Sequence, residues 1–145
     1  MARWLFKSEP HVFGWADQVA LGPLGGEWHG VRNFQARNMM RLMAVGDLGF
    51  FYHSGKAPEV VGIVAVTAPS HPDSTAFDPG SGDPRWDCVD VAALRPFTRP
   101  VTLTAVRAEP DLAAMVLVRN SRLSVQPVSE AEWARVCAMG DTAPD

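Results

Sequence analysis

Cysteine is scarce in this chain. There are two, Cys88 and Cys137, far apart and without metal-like spacing. They cannot supply a disulfide framework, so both are expected to be reduced and buried. The four histidines (His11, His29, His53 and His71) are equally scattered. Structural zinc sites announce themselves by paired ligands, so no metal is expected, and no cofactor either. No apolar run reaches membrane length, which excludes a spanning helix. Arg3 and Lys7 break the apolar stretch a signal peptide requires, so the expected compartment is the cytoplasm. The chain also lacks GxxxxGK[ST], GxGxxG and GxSxG, which removes a phosphate-cradling loop and a nucleophile elbow. His53 and Ser54 are adjacent, but neighbours in a strand point to opposite faces and make a poor nucleophile–base pair. Nothing brings Glu9 to Asp47 as a carboxylate pair. The expectation is therefore a protein without catalysis.

Lysine is also rare, present only at Lys7 and Lys56, and the net charge is −3. That excludes a protein that coats polyanions indiscriminately. The charge is uneven, however. Residues 28–46 hold Arg32, Arg37 and Arg41 and no acid.

A chain of 145 residues suits one domain, here residues 1–140, with a frayed tail over 141–145. Residues 4–8 read as a first strand stopped at Pro10, residues 12–21 as a helix, and Gly25-Gly26 as a turn. Residues 48–53 form an aromatic strand. Residues 59–67 form a central one, in which Gly62 marks a bulge or a close approach. A long loop is expected over 69–84, then a strand over 86–94, an interruption at Arg99-Pro100, and short helices over 102–108 and 110–115. A last strand over 124–128 leads to a helix capped by Ser129 and Glu132, burying Trp133, Val136 and Cys137. About five or six strands interleaved with short helices give an α+β architecture: a curved mixed sheet or small barrel with helices outside.

The stretch WHGVRNFQARN, residues 28–38, fits neither a core nor a plain loop. Asn33 suits a helix N-cap. From there Ala36, Met39, Met40 and Met43 share one face, while Phe34, Arg37, Asn38 and Arg41 lie on the other. A solvated face with one stray aromatic is the plainer reading. Aromatic planes beside amides and guanidiniums are also what an unstacked nucleobase requires, through stacking, edge hydrogen bonds and phosphate contacts.

KSEP at 7–10, WHGVRNFQARN at 28–38, GDLGFFYHS at 46–54 and LSVQPVSEAEW at 123–133 occur in this order and spacing. Together, over residues 3–136, they resemble the EVE domain family. The resemblance implies a PUA-like fold, a curved mixed β-barrel of about five to six strands flanked by short helices, related to the YTH readers. It further implies a monomer that reads a modified nucleobase in nucleic acid, with modified cytosine in DNA favoured and RNA as the alternative, and no membrane. The matching positions are Lys7, Ser8 and Glu9; Trp28, Arg32, Asn33 and Asn38; Tyr52, His53 and Ser54; and Gln126. Phe34 stands where tyrosine is usual, and the loop over 70–84 is shorter than in many relatives. Arg37 and Arg41 are the phosphate candidates. Trp28 is expected to wall a pocket that opens beside Ser8, Asn33 and Ser54. Two other classes stay open: a small-molecule or nucleotide-processing enzyme using Glu9 or His53 as acid–base, and a protein-interaction module.

Overall fold

Three successive residues of the first strand, Trp4, Leu5 and Phe6, are all buried. Side chains alternate faces along a strand, so burial of all three requires cover on both sides of the sheet. The computed structural model, which describes residues 1–76 and 86–145, shows how this is achieved. Strand β1 (Arg3–Ser8) runs parallel to β3 (Leu48–His53) and antiparallel to β6 (Val125–Val128). Strand β4 (Glu59–Pro72) joins β3, β5 (Asp87–Thr102) follows, and the short β2 (Gly26–Glu27) closes that side, all antiparallel. The order is β2-β5-β4-β3-β1-β6. The expected curved, mixed α+β arrangement is thus a six-stranded sheet with β2 and β6 as its ends.

Leu5, Phe50, Tyr52 and Ile63 face one core, with Val106, Leu112, Trp133 and Val136. These come from α4 (Leu103–Ala108), the 3-10 turn Pro110–Leu112 and α6 (Glu130–Met139). Trp4, Phe6, Phe51 and Val64 face the other, against Trp28, Val31 and the Ala36, Met40 and Met43 stripe of α3 (Phe34–Arg41). A further helix, α5 (Val116–Arg119), follows α4; α1 (Pro10–Phe13) and α2 (Trp15–Ala20) lie between β1 and β2.

Several boundaries differ from expectation for identifiable reasons. The helix expected over 12–21 is two helices, broken at an extended Gly14, where the Trp15 N–H is diverted to His53 Nε2 at 3.0 Å. Strand β4 continues through residues 69–72, which were assigned to a loop; residues 77–85 of that loop lie outside the described residues. Strand β5 runs through Pro96 and Pro100 rather than stopping near 94. Register shifts on both sides of the Gly62–Pro96 pair relieve the ladder of the N–H that proline lacks. Gly62 is indeed a close approach: a Cβ there would lie 2.5 Å from the Trp15 ring. The terminal residues do not fray. Trp133 Nε1 donates to the Pro144 carbonyl at 2.7 Å, and the Thr98 N–H donates to Thr142 Oγ1 at 3.0 Å. Asp47 is a buried hub that accepts from Trp4 Nε1 and the Ala44 N–H, each at 3.0 Å, and is therefore no partner for Glu9.

Candidate functional site

The C-terminal end of β1 and the segment after β2 enclose a cavity of about 340 Å³, within the size range of small-ligand sites. Ser8 and Lys7 border it from β1, Phe13 and Val12 from α1, and residues 27–32 from the turn before α3. Trp28 forms part of its wall but is only 7% exposed. Three rings hold the indole edge-on, with centroids at 5.2 Å (Phe6), 5.4 Å (Phe51) and 6.2 Å (Phe13). The indole is thus a fixed wall offering a narrow strip to a ligand. An edge-to-face cluster of this kind leaves it little freedom to swing.

The opposite rim is pinned by a buried acid. The Asp73 carboxylate accepts from the Gly30 N–H at 2.8 Å and Arg32 Nη1 at 3.1 Å. Its other oxygen accepts from the Thr75 N–H at 2.8 Å and hydroxyl at 2.6 Å. Burial pushes this carboxyl up, but the bonds from Thr75, Gly30 and Arg32 outweigh it and hold it below the ordinary carboxylate value. Gly30 takes a φ of +86°, a conformation suited to glycine, and this aims its N–H at Asp73. Arg32 is therefore a fixed donor at the rim. Ser8 Oγ donates to the Phe13 carbonyl at 2.7 Å, leaving its lone pairs as acceptors. Lys7 Nζ donates to the Ser121 carbonyl at 2.6 Å, and burial lowers its pKa, so its charge is directed along the wall.

The structure brings Lys7, Ser8, Trp28 and Arg32 to this one cavity and places the remaining sequence candidates elsewhere. Glu9, His53 and Ser54 line a second cavity, of about 490 Å³, on the far side of β1's end. There His53 accepts the Trp15 N–H, and burial lowers its pKa against a smaller opposing pull from Glu59. Tyr52 is buried in the other core, its hydroxyl pushed up by burial. Gln126 is fully buried, and its Nε2 donates to the Leu123 carbonyl at 2.7 Å. It thereby sets the turn that delivers Ser124 to the first cavity. Asn33 caps α3, accepting from the Ala36 N–H at 2.9 Å. Asn38 accepts from Arg37 at 2.9 Å. Arg41 is hydrogen-bonded to Asp87, and Phe34 stacks on Trp86 outside the cavity.

Sequence reasoning missed Glu27, His29, Phe13 and Ser124, which border the cavity. Glu27 had a signal: it is the acid immediately preceding the acid-free run. Among the described residues, Glu27, His71 and Cys88 also have metal-ligand chemistry, with ligand atoms within 4.8 Å of one another. His71 Nε2 already meets Asp90 Oδ1 at 2.7 Å, a contact that raises its pKa. Burial and then the surrounding acids push the Cys88 thiol up to about 12. In this form the trio ties β2 to the β4–β5 pair through a protonated thiol.

A curved mixed sheet of this order, helices on both faces and a cavity at the end of its parallel pair, defines a PUA-like protein. The same fold is found in the YTH domain of Zygosaccharomyces rouxii MRB1, solved with N6-methyladenosine RNA. There the TM-score is 0.56 at 15% identity, over 96% of this chain and 86% of that one. More specifically, the chain belongs to the EVE domain family, whose profile matches residues 2–139. A crystal structure of an Agrobacterium tumefaciens protein is 54% identical, with a TM-score of 0.92 over 99% of this chain and 95% of that one. Human THYN1, crystallised with 5-methylcytosine-containing DNA, is 31% identical, with a TM-score of 0.87 over 99% of this chain and all of that one. Among the described residues, no helix is long and apolar enough to cross a membrane.

Proposed function

We propose that this protein reads a modified nucleobase in nucleic acid, with 5-methylcytosine in DNA as the ligand, and performs no chemistry on it. One observation carries the reading. The human relative crystallised with 5-methylcytosine DNA shares the fold over the whole chain, and this chain keeps a ready cavity walled by Trp28 and Arg32. In this mechanism a base leaves its stack and enters beside Trp28. Extrusion costs a few kcal/mol, least from a single strand or a mispair. Glu27 accepts from the exocyclic amine of cytosine, and Ser8 and Arg32 meet the remaining polar edge. Val12, Phe13 and Val31 supply apolar surface for the methyl group.

A buried methyl is worth about 0.8 kcal/mol, or about fourfold in affinity. Preference for the modified base is thus modest, and hydrogen bonds to the base edge provide most of the selectivity among bases. The absence of a nucleophile–base pair around the cavity favours a reader over an enzyme: Ser8 is bonded to a backbone carbonyl and His53 lies in the other cavity. Both cysteines are free and buried, which accords with a cytoplasmic protein.

The test is titration of fluorescently labelled oligonucleotides carrying cytosine, 5-methylcytosine or N6-methyladenine, as DNA and as RNA. Tightest binding to 5-methylcytosine DNA is expected, with Glu27→Gln reducing the margin over thymine. Equal, weak binding throughout defeats the proposal.

A further inference from the structure

Next to the cavity, but outside it, two aromatic rings stack on the surface. Phe34 and Trp86 have centroids 4.7 Å apart and planes inclined by 23°. Phe34 is the first residue of α3 and is 54% exposed, and neither ring belongs to a buried core cluster of the described residues. The pair is flanked by guanidiniums. The Arg37 carbon lies 4.8 Å from the Phe34 centroid, and the Arg32 carbon lies 5.7 Å from that of Trp86. Arg32 is the link, because the same side chain borders the cavity and is pinned by the buried Asp73. The column therefore starts at the cavity rim and runs outward along the N-terminal end of α3.

An exposed aromatic pair with positive groups at both ends suits a flat ring that carries a negative backbone. We propose that Phe34 and Trp86 form a stacking station for the nucleotide adjoining the base held in the cavity. The incoming ring takes the place of the Arg37 guanidinium over Phe34, and Arg37 turns to that nucleotide's phosphate. The exchange is favourable. A cation–π contact at an exposed site is worth about two- to fivefold in occupancy, whereas base–aromatic stacking is worth about 5- to 150-fold. Every base has a π-face, so the station accepts any neighbour and adds affinity without adding sequence. It rests on the proposed reading of the cavity, and it explains why Phe34 needs no hydroxyl: a stacking ring acts through its face.

The experiment uses the full chain and three probes: 5-methyl-2′-deoxycytidine alone, a single-stranded heptamer with one central 5-methylcytosine, and the same heptamer with abasic sites on both sides of it. The proteins are wild type, Phe34→Ala and Phe34→Leu, the last keeping apolar bulk without a π-face. Folding of each is checked by circular dichroism. The nucleoside should bind all three equally, within about twofold. The heptamer should bind both variants about 5- to 150-fold more weakly than wild type. The abasic heptamer should bind all three alike, because the ring and its partner are lost together. Unchanged heptamer affinity in both variants overturns the station, as does an abasic penalty that persists in full in the variants. If wild type binds neither nucleoside nor heptamer, the reading of the cavity fails, a result distinguishable from loss of the station alone.

Discussion

Asp73→Asn gives the sharpest test of how the cavity rim is held. The wild-type carboxylate is fully buried and accepts four hydrogen bonds, from the Gly30 N–H, Arg32, and the Thr75 N–H and hydroxyl. Asparagine keeps the shape but turns one oxygen into a donor, so it either faces Thr75 with an amide N–H or loses both Gly30 and Arg32. Breaking a buried charge pair from one side costs about 3–5 kcal/mol. The Arg32 side chain is 41% exposed and can turn to water, which removes part of that cost. The expected loss is therefore about 2–3 kcal/mol, a Tm shift of about 6–12 °C for a domain of this length. The sign with pH follows from the depressed carboxyl. A lowered folded-state pKa stabilises above the unfolded value, near 3.9, and that contribution disappears as pH falls through the folded value. Urea midpoints of both proteins at pH 7, 5, 4 and 3 should show a constant gap above about pH 5 that narrows below about pH 4. A gap at pH 7 equivalent to less than about 1 kcal/mol, or one unchanged at pH 3, refutes the four-bond account.

Gly62→Ala places a Cβ 2.5 Å from the Trp15 ring, so it should cost about 1–3 kcal/mol in a urea titration and displace α2. His53 is held neutral by burial and by accepting the Trp15 N–H. A histidine with a lowered folded-state pKa destabilises as pH falls below its ordinary 6.5. His53→Gln, which can still accept that N–H, should flatten the loss of stability between pH 8 and pH 5 seen in wild type; identical slopes would show that His53 does not titrate there. On single-stranded DNA, Arg37→Gln should lower the slope of log affinity against log salt by about 0.7. Arg41→Gln should change it less, because Asp87 already neutralises that guanidinium. Equal changes in salt-dependent anisotropy titrations would contradict the pairing.

Local rules made some of this structure legible from the sequence and hid the rest. The buried stripe of α3 follows from a 3.6-residue period, and its cap from the Asn33 side chain; both need only neighbours in sequence. The Ser129–Glu132 capping box is of the same kind. The cavity is not. Glu27 reaches it because β2 pairs with β5, and Asp73 pins Arg32 from 41 residues away. The strand alternation of β3 sends Tyr52 into one core and Phe51 into the other, while the parallel register that sets Ser8 beside His53 carries His53 and Ser54 toward the second cavity. Motif adjacency groups residues by chain position, and a sheet regroups them by face. That is why four residues of the sequence's candidate set meet at one cavity while Gln126 and Asn33 shape it from behind.

This arrangement also decides where affinity comes from. With a net charge of −3, the protein has little long-range attraction for a polyanion. Its acid-free stretch looked like a basic patch, yet Arg32 is bonded to Asp73 and Arg41 to Asp87. Such arginines fix geometry before they neutralise phosphate, and counterion release from them is correspondingly small. A reader built this way cannot rely on charge to hold nucleic acid and wait for the right base. It must gain its binding energy from ring faces and a closed hydrogen-bond edge, at the moment a base is already out of its stack. The expected behaviour is shallow salt dependence, weak binding to intact duplex, and a clear preference for sites where the base is free to leave.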